Sequence, residues 1–214
     1  IEEEFIKMGA SFNSLSHSDS TIQVGATTGV HQLLSYVQQH GLGDFEFMGG
    51  VPASIGGMIA MNFGCWGVEM KDIVEHVDVY IPHEGVKRLT NRDCEFKYRS
   101  SIFQQKNWLI LSASIKAKQQ DKLTVKERIK DYLQQRLDKQ PLRIPTFGSI
   151  FKNPAQIAAG ELIERQELKG WQVNDVKISN HHANFLENIG KGTAEDALKV
   201  IDHVREVILK KENI

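Results

Sequence analysis

Between Gly49 and Gly67 six glycines fall in nineteen residues, interleaved with Pro52, Ala53, Ser54, Ala60 and Asn62. Each glycine adds backbone freedom without a side chain to pack, so this spacing does not suit the interior of an ordinary helix or strand. It reads as close-packed irregular backbone, and the regular elements must be sought on either side. Residues 21–26 alternate apolar and polar as a strand does, and Val30, Leu33, Leu34 and Val37 then follow the i, i+3, i+4, i+7 rule of an amphipathic helix. Thr28 fits its N-cap and Gly41 its stop. Beyond the glycines, strands are predicted over 77–81 and 86–89, joined through His83-Glu84-Gly85, and over 108–118. The first region is therefore mostly sheet with one or two helices.

Near residues 119–122 the composition turns polar, and Thr124 with Glu127 forms a capping box that opens a helix running to about Asp138. The domain boundary is placed there, giving units 1–122 and 123–214 with separate packing. After Pro141 and Pro145, a short helix is predicted around 160–166, with strands over 176–179 and 183–188. A last helix opens at Thr193, with Asp196 at its third position and Leu198, Ile201, Val204 and Ile208 as its apolar stripe. The sequence opens on Ile1 without methionine, in what reads as the end of a strand running to Lys7, as a fragment of a longer chain would.

The bulk properties exclude some functions. With 214 residues, 41% hydrophobic and 25% charged, the chain can bury a real core. A formal net charge of -1 gives no global reason to bind nucleic acid or an anionic membrane. No apolar run approaches the roughly 20 residues that span a bilayer, and the expected location is the cytoplasm. Cys65 and Cys94 stand far apart without metal-ligand spacing. His181-His182, if on a strand, point to opposite faces, so no metal is expected there.

Three segments carry possible chemistry. Clustered amides of the glycine run can cradle a diphosphate or bond a flavin ring edge, although the run matches neither a P-loop nor G-x-G-x-x-G, and taken alone it fits a tight-turn role better. In Tyr98-Arg99-Ser100-Ser101-Ile102-Phe103, the arginine suits a carboxylate clamp or a surface ion pair. In Phe147-Gly148-Ser149-Ile150-Phe151-Lys152-Asn153-Pro154, a serine hydroxyl near a cation suits proton donation, or else a local turn bond.

The order and joint occurrence of these segments change the reading. GLGDFEFMGGVPASIGGMIAMNFGCWG, YRSSIF, QPLRIPTFGSIFKNP, AAGELIERQELKG and ISNHHANFLENIG, in this order, resemble the UDP-N-acetylenolpyruvoylglucosamine reductase (MurB) family across nearly the whole chain. The resemblance implies an α+β fold: the second half of a PCMH-type FAD-binding domain, then a MurB-type C-terminal substrate domain, with the site between them. It implies an FAD oxidoreductase in which NADPH reduces the flavin and the flavin passes hydride to the enolpyruvyl group of UDP-N-acetylglucosamine enolpyruvate. The product would be UDP-N-acetylmuramate for peptidoglycan.

The same resemblance assigns residues. Arg99 is the implied cation for the carboxylate and Ser149 the proton donor. Tyr98, Lys139, Lys152 and Asn153 would contact substrate, and Gly49, Val51, Pro52, Ala53, Ser54, Gly56, Gly57, Asn62 and Gly64 would hold FAD. Departures are visible too. Ala53 stands where a glycine is usual and Trp66 where a tyrosine is usual. Neither the family's N-terminal diphosphate loop nor its terminal catalytic glutamate is matched, so weak FAD binding and slow turnover are expected. Two alternatives stay open, a non-catalytic UDP-sugar-binding homologue and another FAD oxidoreductase of the wider family.

Overall fold

The computed structural model describes residues 7–214, so the strand read up to Lys7 lies, apart from Lys7 itself, outside the described residues. Strand Thr21–Gly25 has the anticipated alternation, with Ile22 and Val24 buried and Gln23 exposed. It belongs to a five-stranded sheet running Leu15–Ser18, Thr21–Gly25, Leu109–Lys116, Val74–Ile81, Gly85–Thr90, antiparallel at every pairing. The last two strands form the anticipated hairpin, whose turn has His83 at φ 68° and Gly85 at φ 81°. The helix Val30–His40 buries Val30, Leu33, Leu34 and Val37, as its periodicity predicts. Its core partners include Ile22, Val24, Ile55 and Ile59, and each such side chain contributes about 1.5–3 kcal/mol on burial.

The helix ends where Gly41 adopts φ 66°, but its start differs from expectation. Gly29 is the N-cap residue, its N–H donating to Gln32 Oε1 at 2.9 Å. Thr28 is fully buried instead, its hydroxyl donating to Ser14 O at 3.2 Å and its carbonyl accepting from the Ile55 amide at 2.9 Å. That pairing ties the strand-to-helix corner to the glycine segment. The segment itself is not wholly irregular, since Ile55–Ala60 forms a short helix with Ser54 Oγ accepting from the Gly57 amide. A Cβ on Gly56 would lie 2.9 Å from Ala26 Cβ, so glycine there lets this helix touch the strand end.

The long helix spans Lys122–Lys139 and begins ahead of the capping box read at Thr124. Asp121 Oδ2 accepts from the Thr124 amide at 2.9 Å, so aspartate supplies the cap. The chain divides into two compact units, one up to Gln134 and one from Gln135 on, which puts the boundary inside this helix and past the anticipated 122/123. Its first turns belong to the first unit: Val125 is fully buried, and Ile129 packs partly buried against the first core.

The second unit carries a four-stranded antiparallel sheet in the order Thr146–Ser149, Phe185–Asn188, Val176–Ile178, Gln172–Val173. Helices Ala159–Arg165 and Ala194–Glu212 complete its core through Leu162, Ile163, Val200 and Val204. The cap at Thr193 and Asp196 forms as anticipated. The stripe of the last helix is rotated, however: Ala197, Val200, Val204 and Ile208 are buried while Leu198 is 58% exposed. That row, spaced i, i+3, i+7, i+11, packs on the second core, and Asp196 beside it accepts from Asn174 Nδ2 at 2.8 Å.

Candidate functional site

In the first unit the glycine segment and the YRSSIF loop meet. The hinge is Asn62, fully buried at φ 41°. Its Nδ2 donates to Lys97 O at 2.9 Å and to Glu69 Oε2 at 3.1 Å, while its Oδ1 accepts from the Lys71 amide at 2.9 Å. Ser101, also fully buried, donates to Ala60 O at 2.6 Å. These bonds deliver Arg99, at φ 50°, onto the end of the glycine run, where Nη2 donates to Gly64 O at 2.6 Å. The guanidinium carbon lies 5.0 Å from the Tyr98 ring centre and 5.8 Å from that of Phe63, within cation–π range. With its side chain 28% exposed, Arg99 faces an open pocket of about 400 Å³ with Gly64, Trp66, Glu69, Lys71 and Tyr98.

Glu69 was not anticipated as part of this site. Burial works to raise its carboxyl pKa, but hydrogen bonds from Lys71 and Asn62 and the charges of Lys71 and Arg99 outweigh it, and the carboxyl is held below its ordinary value. Thirty positions separate Glu69 from Arg99 in sequence, and no local spacing connects them.

The nine candidate cofactor residues do not converge on one pocket. Gly49, Val51 and Pro52 line a groove against the helix Val30–His40, whereas Gly64 lines the Arg99 pocket. Gly49, Gly56, Asn62 and Gly64 are buried, and three of these lack a side chain for packing reasons. A Cβ on Gly49 would come 3.2 Å from Glu46 O, and one on Gly64 would come 2.5 Å from Glu69 Cγ. Pro52 and Gly57 are exposed, and Val51, Ala53 and Ser54 half-buried. The amides of Val51, Ala53, Ile55 and Gly56 are spent on protein carbonyls, while among the described residues those of Gly50 and Ser54 donate to none. The Thr27 hydroxyl is buried without a partner in the same corner. Free amides beside exposed, thin backbone fit the edge of a planar ring. Ala53 packs partly on the core, and the Trp66 ring meets that of Tyr132 at 4.8 Å between centroids, tilted by 45°.

In the second unit Ser149 lies exposed at the end of strand Thr146–Ser149, where the pairing shifts register between Thr146 and Ser149. Gly148 takes φ 72° within that irregularity, and Ser149 rejoins the ladder opposite Phe185. Lys152 is exposed in the same turn, and Asn153 Oδ1 accepts from the Ala159 amide at 3.0 Å, fixing the turn to the helix that follows. Lys139 is exposed at the end of its helix. The turn has a second anchor missed in the sequence: buried Asn184, whose Oδ1 accepts from the Phe151 amide and whose Nδ2 donates to Phe151 O, both at 2.9 Å. One side-chain amide thus does the work of a strand neighbour for the Ser149 loop.

His181 and His182 lie in a turn and not on a strand. Burial holds the His182 imidazole below its ordinary pKa, and its Nδ1 accepts from the Asn184 amide at 3.2 Å, as a neutral ring does. His181 Nε2 lies 2.7 Å from Asp138 O. Among the described residues no group of three or more His, Cys, Asp or Glu is placed to hold a metal ion, and no helix is long and apolar enough to cross a membrane. The Cys94 thiol is pushed up to about 12 by burial and is not a thiolate at neutral pH.

Residues 140–214 match the model described as UDP-N-acetylenolpyruvoylglucosamine reductase, C-terminal domain, and residues 4–90 match an FAD binding domain. Among similar proteins, the UDP-N-acetylenolpyruvoylglucosamine reductase of Caldanaerobacter subterraneus subsp. tengcongensis is 39% identical over 83% of this chain and 60% of its own length. That of Bacillus subtilis is 35% identical over 98% of this chain and 69% of its own. The crystal structure of the Thermus caldophilus reductase (MurB) superposes with a TM-score of 0.78 at 31% identity, covering 86% of this chain and 68% of that one. The chain thus spans about 60% to 69% of the length of the relatives it matches. Two domain matches in one order, together with identity sustained along almost the whole chain, place it in the UDP-N-acetylenolpyruvoylglucosamine reductase family.

Proposed function

We propose that the chain takes part in the NADPH-dependent, FAD-mediated reduction of UDP-N-acetylglucosamine enolpyruvate to UDP-N-acetylmuramate, in the cytoplasm, for peptidoglycan. The observation that carries this reading is the Arg99 guanidinium, pinned by a single hydrogen bond to Gly64 O and facing an open pocket. Its other donors suit a carboxylate. Hydride addition to the enolpyruvyl double bond pushes charge onto that carboxylate, and a fixed cation there lowers the barrier by about 3–4 kcal/mol. The adjacent carbon then takes a proton, which the exposed Ser149 hydroxyl supplies, with Lys152 favouring the alkoxide left behind. Tyr98 supports the guanidinium from below, and Lys139 and Asn153 complete the contacts to the UDP-sugar.

FAD, when bound, supplies the hydride carrier between NADPH and the sugar. The residues that fit it best are the exposed Pro52 and Gly57 with the half-buried Val51, Ala53 and Ser54, together with the uncommitted amides of Gly50 and Ser54. Gly49, Gly56, Asn62 and Gly64 shape the backbone behind them. The test is NADPH oxidation by the protein with FAD in excess, with and without the enolpyruvyl sugar. A sugar-dependent rate with UDP-N-acetylmuramate as product supports the reading, and NADPH oxidation indifferent to the sugar overturns it.

A further inference from the structure

Arg99 owes its place to more than the Gly64 carbonyl. Glu69 stands across the Gly64–Cys65 and Val68–Glu69 hairpin, with Gly64 and Glu69 as register partners. Its Oε2 is fixed twice, by Lys71 Nζ at 2.6 Å and by the buried Asn62 Nδ2 at 3.1 Å. With that oxygen held, Oε1 is turned toward Arg99, 4.0 Å from Nη1. Gly64 makes the arrangement possible, because a Cβ there would sit 2.5 Å from Glu69 Cγ. Asn62 meanwhile holds Lys97 O, two residues before Arg99. One buried amide therefore fixes both the backbone that carries the arginine and the carboxylate that faces it.

We propose that Glu69 is the positioning residue for Arg99: its oriented carboxylate, locked by Asn62, keeps the guanidinium in one rotamer against Gly64 O with its remaining donors turned to the pocket. The inference rests on the reading that Arg99 receives the substrate carboxylate. At 4.0 Å the pair is too long for a hydrogen bond, so Glu69 orients the cation without occupying the donors a substrate needs. Loss of this restraint frees a side chain with several rotatable bonds, and misplacement of a catalytic group by about 1 Å costs on the order of 10²-fold in rate.

The test uses the flavin-loaded protein with Glu69→Gln, which keeps an oxygen for Asn62 and removes the charge, and Glu69→Ala, which removes both. The first readout is the ¹⁵N guanidinium resonance of Arg99, assigned by its loss in Arg99→Lys. It should be sharp in the parent and exchange-broadened in both Glu69 variants, with the melting temperature confirming that each folds. The second is a double-mutant cycle on kcat/KM. Glu69→Ala should lose about ten- to a hundredfold in the parent and little or nothing further in an Arg99→Ala background. Arg99 resonances unchanged in both folded variants, or losses that multiply in the double variant, would overturn the proposal. If the parent shows no sugar-dependent turnover, the carboxylate reading fails on its own, while the guanidinium resonances still decide whether Glu69 holds Arg99.

Discussion

The two loops proposed to carry the chemistry are held in opposite ways. Arg99 stands on backbone locked by burial: Asn62 and Ser101 are fully buried, and Gly56 and Gly64 are glycines because neighbouring atoms leave no room for a Cβ. Ser149 stands exposed on a bulged edge strand, in a turn tied down by two asparagine side chains, Asn153 and Asn184. The first arrangement couples function to folding, so damage there spreads. The second separates them, so a change in the exposed side chain touches chemistry and leaves the fold intact. A cation that must stay fixed while charge develops gains from the first kind of support, and a hydroxyl that must approach a carbon gains from the second.

The largest effect that sharpens this contrast is Ser149→Ala. Turnover should fall about 10²–10⁴-fold with an unchanged melting temperature, because an exposed hydroxyl is lost and no packing with it. A melting temperature lowered by several degrees would break the contrast. Next comes Asn184→Ala, which strands the Phe151 amide and carbonyl behind the serine loop and should cost about 1–3 kcal/mol per buried group left unpaired, read by urea denaturation. Gly56→Ala tests the other region. The new methyl would meet Ala26 at 2.9 Å, and overpacking of this kind costs about 1–3 kcal/mol, with flavin affinity falling alongside stability.

The smallest effect is a pH dependence. Burial holds the folded-state pKa of His182 below the ordinary value near 6.5, so the unfolded chain binds the extra proton first. The stability this ring contributes is present above that pH and is lost as pH falls through the folded value. Protection factors of the amides of residues 181–185, corrected for the intrinsic pH dependence of exchange, should therefore fall on acidification below about pH 6.5. His182→Gln, which cannot be protonated, should flatten that dependence.

These contrasts also mark what was legible in the sequence. Elements set by local rules were readable: the buried face of Val30–His40, the stop at Gly41, and the cap at Thr193 with Asp196. Features decided by distant partners were not. Thr28 has the right side chain for an N-cap, yet Ser14 and Ile55 claim it, and Gly29 takes the cap. Leu198 is as apolar as Val200, yet the second core takes the row Ala197, Val200, Val204 and Ile208 and leaves Leu198 to solvent. For the site, Arg99 and Ser149 stood inside quotable motifs. Glu69 faces Arg99 and Asn184 bonds Phe151 across 30 and 33 residues of sequence, contacts that no spacing rule connects.

The account stands on Arg99 and Ser149 serving one reaction on an enolpyruvyl sugar, and half-reactions measured separately test this most directly. Protein with excess FAD is reduced anaerobically by NADPH, then mixed with UDP-N-acetylglucosamine enolpyruvate while flavin absorbance is followed. In Ser149→Ala, reduction by NADPH should match the parent, while reoxidation by the sugar slows at least about 10²-fold. In Arg99→Ala, reoxidation should slow by a similar factor, with weaker sugar binding in addition. Reoxidation at the parental rate in either variant would contradict the account.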